Sequence, residues 1–180
     1  MVKPHAPLVA GLAALLAVVL PAVDRLVPVT AGPIRPGERL NLGGGVTIAP
    51  PAGWRLRSGI RTTDRTVAPV RPGDGDATLD DGGAVTVVIH LADFDGGGPA
   101  ALLDQVDRVN ARARPTLAVT GGRAAVAAGL VERFAGPSSE GLIAAYTFGG
   151  TGMTDVARAG AAGLAARAAE IDAMLASVAR

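Results

Sequence analysis

The sequence predicts an α+β fold: an antiparallel sheet flanked by helices and preceded by an N-terminal transmembrane helix. Three observations lead there. An uncharged apolar run opens the chain, short alternating apolar segments separated by Gly/Pro turns fill its middle, and two later stretches repeat apolar residues at helical spacing.

The opening run is Ala6 to Val23, eighteen residues without a charged or hydrogen-bonding side chain, closed by Asp24-Arg25. As a helix it spans about 27 Å, close to the roughly 30 Å of a hydrocarbon core, and Leu26 to Val29 can lengthen it if Arg25 snorkels. The rival is a secretory signal peptide with Lys3 as its positive end and Val29-Thr30-Ala31 as its cleavage site. The h-region is long for that, so a retained single-pass anchor over 1–30 is the expectation, with secretion after cleavage as the alternative. Both place the remainder outside the cytoplasm.

Composition removes whole classes of chemistry. The 180 residues contain no cysteine and two histidines, His5 and His90, and Lys3 is the one lysine. Disulfides, thiolate metal sites and thiol nucleophiles are excluded, and beyond residue 5 there is no amine nucleophile. A net charge of +1 offers no footprint for nucleic acid. Charge is nevertheless blocked: seven arginines against two acids over 35–71, then six aspartates and no Lys or Arg over 74–95. Such neighbours are expected to lie against each other in the fold.

Residues 31–45, rich in Pro and Gly, are expected to tether the membrane segment to a domain over 46–180. That domain opens with strand Val46 to Ala49, a turn at Pro50 to Gly53, and strand Trp54 to Arg57. Residues 58–83 read as a long loop with a marginal strand at Thr66 to Val70. Ala84 to Leu91 alternates with apolar residues on both faces, predicting a strand covered on both sides. Pro99 can open a helix that reaches about Ala113 and stops at Pro115, with Leu102, Val106, Val109 and Ala113 inward. Thr116 to Thr120, a two-residue turn at Gly121-Gly122, and Arg123 to Phe134 then read as a hairpin. After a turn over Gly136 to Gly141, Leu142, Ala144, Tyr146 and Phe148 line one strand face, and Met153 to Ala159 suit another strand. Leu164, Ala168, Ile171, Leu175 and Val178 close the chain as an amphipathic helix.

Val46-Thr-Ile-Ala-Pro-Pro-Ala-Gly-Trp54, the strand Val85 to Leu91, the Gly-rich hairpins and the terminal Glu170-Ile-Asp-Ala-Met-Leu-Ala-Ser-Val178 together resemble the PsbP-like α/β/α sandwich, particularly its exported actinobacterial branch related to Lpq-type lipoproteins. The resemblance covers most of 44–178. It implies a non-catalytic module that binds partners. The chain departs from those lipoproteins in lacking the lipidated cysteine, and no metal or partner residue of distant relatives has a motif here to land on.

Catalytic constellations fail one by one. A Ser-His-Asp site would need His90 with Ser58, Ser138, Ser139 or Ser177, and the nearest approach to a nucleophile elbow, Gly136-Pro-Ser138-Ser-Glu140, has Glu where the second glycine belongs. Asp93-Phe-Asp95 and Asp74-Gly-Asp76 are the candidate paired carboxylates, but Asp74, Asp76, Asp80 and Asp81 match a calcium loop at its first two positions only and read as a solvated acidic loop. Gly96-Gly97-Gly98 precedes a helix, but Asp93 and Asp95 would repel a phosphate there and no Lys-Ser/Thr follows. Gly150-Thr-Gly152 is weaker still. Trp54 is expected to plug the sheet edge rather than face a ligand. The expectation is therefore a membrane-anchored extracytoplasmic interaction module for an unknown envelope protein. It has no catalytic, metal or cofactor residues and no nucleic-acid partner. The alternative is a binder of a small apolar ligand between sheet and helix.

Overall fold

The computed structural model describes residues 31–64, 75–113, 116–160 and 163–180. The expected membrane segment 1–30 and the marginal strand Thr66 to Val70 lie outside the described residues, among which no helix is long and apolar enough to cross a membrane. Along the chain come β1 (Gly32–Pro33), β2 (Leu40–Gly43), β3 (Val46–Ile48), β4 (Arg55–Ser58), β5 (Ala77–Asp80), β6 (Val85–Asp93), helix α1 (Pro99–Ala113) and β7 (Ala118–Val119). There follow β8 (Ala124–Val126), β9 (Gly129–Ala135), β10 (Glu140–Thr147), β11 (Thr151–Ala159), α2 (Gly163–Ala166) and α3 (Ala168–Ala176). The fold is α+β with an antiparallel sheet, as expected.

The main sheet runs β1-β4-β5-β6-β11-β10-β9-β7, with β8 also on β9; β2 and β3 form a separate hairpin. It is thus two meanders, β4-β5-β6 and β9-β10-β11, joined where β6 lies antiparallel to β11 from Val85↔Ala159 to Asp93↔Thr151. Strand alternation divides the core between two faces. Val85, Val87, Ile89 and Leu91 meet Leu142, Ala144 and Tyr146 on one face, beneath the β2–β3 hairpin and α3. On the other, Leu102, Leu103 and Val106 of α1 pack on Phe134, Ile143, Ala145 and Val156. Each Val, Leu, Ile or Phe side chain among them, fully buried, contributes about 1.5–3 kcal/mol. Pro99 occupies the first position of α1, where its missing N–H costs no intrahelical bond, and Arg112 complements the dipole in the last turn.

Several expectations are corrected. The stretch 31–45 is not a tether: Ile34, Leu40 and Leu42 are buried in the main core, so apolar spacing outweighed the Pro/Gly composition. β5 forms inside the expected loop over 58–83, because Ala77 and Leu79 alternate inward beside β6. Gly121-Gly122 is not the hairpin turn. It interrupts an edge made of β7 and β8, and the turn falls at Ala127-Ala128, where Ala127 takes φ 44° and Val126 pairs Gly129. The expected strand Arg123 to Phe134 is therefore two. In α1, Leu103 replaces Ala113 on the inner stripe. The terminal helix breaks at Arg167 into α2 and α3, and Met174 joins Leu164, Ile171 and Leu175 as a buried residue. The face of β6 carrying Thr86, Val88 and His90 is exposed to half-buried, not covered.

Candidate functional site

That half-covered face arises from the position of α1. The helix packs on β9, β10 and β11 and its edge reaches the His90 end of β6, while among the described residues no helix lies over β4, β5 and the Thr86 end of β6 on the same side. Antiparallel register orders the open face into rows. The first aligns Arg55, Asp80, Thr86 and Arg158 across four strands. Arg55 Nη2 lies 3.1 Å from Asp80 Oδ1, and Arg57 pairs with Oδ2. Burial pushes the Asp80 carboxyl up, but Arg57, the Gly82 N–H and Arg55 outweigh it and hold its pKa below the usual range. The basic and acidic blocks of the sequence do lie against each other here, whereas Arg61 pairs with Glu38 inside the basic block. Arg158 ends the row with its guanidinium 5.7 Å from the centre of the Phe134 ring.

The second row is Thr78, Val88 and Val156. The third sets His90 beside Thr154. His90 Nδ1 is 2.5 Å from Asp76 Oδ2, and the Leu91 N–H donates to Asp76 Oδ1 at 3.2 Å. A carboxylate can only accept, so in this pair His90 donates from Nδ1. His90 also borders a depression of about 30 Å³, roughly one water molecule, whose wall includes Thr154, Gln105, Asp93 and Phe94. Sequence reading treated Asp76 as part of a solvated acidic loop. The signal it missed is that a residue just ahead of β5 falls opposite His90 once β5 and β6 pair.

The other singled-out residues are dispersed. Ser138 sits in the turn closed by Gly136 N–H to Ser139 O, as expected, and does not join His90 and Asp76. Trp54 is 3% exposed and donates from Nε1 to Glu170 Oε2 at 2.6 Å, so it anchors the layer above the sheet. Asp81 accepts from the Gly83 and Val85 amides and from Arg167. Gly152 and Gly141 serve close packing: a Cβ would fall 2.8 Å from Phe94 at the first and 2.0 Å from Phe134 at the second. The rings of the α1 side therefore lie directly on the sheet, which leaves that interface filled. Among the described residues no group of three or more His, Asp or Glu is placed to hold a metal.

Two buried acids escaped the sequence reading. Glu132, 2% exposed, accepts from Arg123 Nε at 3.0 Å, and Arg123 also reaches Asp104 at 2.8 Å and Asp107 at 3.0 Å. Burial, together with the neighbouring Asp107 carboxylate, raises the Glu132 pKa against the pull of Arg123. Asp155 lies on the opposite face, fully buried. Alternation from Met153 and Ala157 was enough to place it inward, yet an aspartate in a strand reads as solvent-facing by habit. No family model and no curated protein matches the chain.

Proposed function

We propose that this protein is a membrane-anchored, extracytoplasmic, non-catalytic interaction module whose partner docks on the open face of β4, β5 and β6. One observation carries the reading: part of one sheet face has no covering helix among the described residues, and presents exposed Arg55, Arg57 and Thr86 with half-buried Val88 as a surface of mixed polarity. Surfaces of this kind suit a protein partner better than a small molecule, which needs concavity. The single-water depression beside His90 and the ring-filled α1 interface argue against the apolar-ligand alternative. Helices on both faces of an antiparallel sheet are in keeping with the PsbP-like resemblance, and the anchor reading rests on Ala6 to Val23.

The test is site-specific photo-crosslinking in cells. A probe at exposed Thr86 is expected to trap a discrete partner, whereas one at exposed Asp172 on the opposite layer is not. Arg55→Glu with Arg57→Glu should abolish the Thr86 product. Equal trapping from both positions refutes the assigned face. The chain should also resist carbonate extraction; a soluble form starting at Gly32 would replace the anchor by cleavage. Ester, peptide and glycan panels should show no turnover, and activity lost in a folded His90→Ala variant would overturn the non-catalytic reading.

A further inference from the structure

We propose that Asp155 is a proton-controlled latch: its neutral acid lets the layer made of the β2–β3 hairpin and α3 seal the sheet, and its ionisation loosens that layer. The side chain sits in the centre of β11 between Ile89 of β6 and Ala144 of β10, on the face carrying Met153 and Ala157. It is 0% exposed, and neither carboxyl oxygen has a hydrogen-bond partner.

Among the described residues, none packed against it carries a charge that could compensate its own. The neighbouring strands present Val87, Ile89, Leu142 and Ala144, and the covering layer presents Leu40, Ile48, Ile171 and Met174. Among the described residues, the titratable groups on this sheet face are exposed Arg133, opposite Leu142 on β9, Glu140 at the strand end, and Tyr146, whose hydroxyl donates to Leu175 O at 2.9 Å and whose pKa is pushed up by burial and by Asp155 itself. The charged groups at the rim are engaged elsewhere: Arg39 with Thr47 and Ser177 O, Glu170 with Trp54 and Arg167, Glu140 with the Leu164 N–H. Burial accordingly pushes the Asp155 carboxyl up to about 7.

An ionised Asp155 needs water, and the layer is the part that can admit it. β6, β10 and β11 are locked in continuous ladders. The layer, by contrast, is held to the sheet and its connections by isolated contacts rather than a ladder, among them Tyr146 OH to Leu175 O, Trp54 Nε1 to Glu170, Asn41 N–H to Ile60 O and Thr62 N–H to Arg39 O, and α3 has no side-chain N-cap. A raised acid pKa means the closed state holds its proton where the open state has lost it. Closure is therefore complete below the ordinary carboxylate range, weakens about tenfold per pH unit from roughly pH 4, and levels off above pH 7.

Hydrogen exchange of the full chain, corrected for intrinsic rates, tests this. Between pH 5 and 7, protection of α3 amides should fall at least tenfold more than that of α1 amides on the opposite face, and in Asp155→Asn the α3 protection should stay flat. Equal losses in α3 and α1, or an unchanged profile in Asp155→Asn, overturn the latch. Should that variant fail to fold, the carboxyl carbon of Asp155 is titrated in the wild type: a midpoint near 7 supports the proposal, and one in the ordinary aspartate range ends it.

Discussion

Replacing Arg123 by methionine isolates the energetics of a buried charge network. The guanidinium meets Glu132 at 3.0 Å, Asp104 at 2.8 Å, Asp107 at 3.0 Å and the Ala100 carbonyl at 3.2 Å. Of these partners Glu132 matters most, because it is 2% exposed and its Oε1 already lacks a partner. Without Arg123 its carboxylate is stranded beside Asp107. Breaking a buried pair in this way costs about 3–5 kcal/mol. The lower end applies, because the Arg123 side chain is 29% exposed and Glu132, with its pKa already raised, can take up a proton. An acid whose folded pKa is raised stabilises at low pH and loses that contribution as pH rises, so the deficit of the variant should widen from pH 5 to pH 8. Trp54, the sole tryptophan and 3% exposed, reports unfolding by its fluorescence. Urea melts should place Arg123→Met about 3 kcal/mol below wild type at pH 7, and Arg123→Met with Glu132→Leu should regain most of the loss. A single variant within about 0.5 kcal/mol of wild type, or a double variant no better than the single, would refute the reasoning.

Three further predictions concern packing and backbone. Ile171→Asp places an unpaired charge where Ile171 is 1% exposed and should cost at least about 3 kcal/mol, while exposed Asp172→Ala stays within about 0.5 kcal/mol; equal melting temperatures would mean the α3 face is misassigned. Ala127→Gly relieves the left-handed φ of 44° and should raise stability by about 1 kcal/mol, with a lowered urea midpoint as the contrary result. Gly141→Ala drives a Cβ to 2.0 Å from the Phe134 ring and should cost about 1–3 kcal/mol, which a neutral melt would contradict.

What the sequence made legible follows from how strongly each element is specified locally. β6 alternates over nine residues and α1 has a proline start with an apolar stripe, so both were found nearly to the residue. The β9–β8 region shows the opposite case. Gly121-Gly122 is the stronger local turn signal, but placing the turn at Ala127-Ala128 lets Leu130, Phe134 and Val131 reach their clusters on the two faces, and tertiary packing outweighed the cost of a left-handed alanine. β5 was hidden because four residues carry too short an alternation to stand out, and Asp76 because its partner lies across a strand pairing. The open face was equally invisible, since it depends on which strands α1 happens to cover.

The two meanders handle charge in opposite ways, and that separates the working parts of the molecule. In β4-β5-β6 the exposed Arg55 and Arg57 stand on the face without a covering helix and pair with the more buried Asp80. In β9-β10-β11 both faces are covered, and the acids placed there, Glu132 toward α1 and Asp155 toward α3, have no route to water unless a layer moves. Glu132 is given a cation and Asp155 is not. The acid on the α1 side is therefore matched by Arg123, whereas the α3 side is held shut only while its acid keeps its proton. A partner bound to the open face of β4 to β6 would lie on the α1 side, away from the layer that Asp155 controls. Binding at that face is accordingly expected to persist unchanged in Asp155→Asn, and a partner whose affinity tracked the titration of Asp155 would show that the two faces are coupled through β6 and β11.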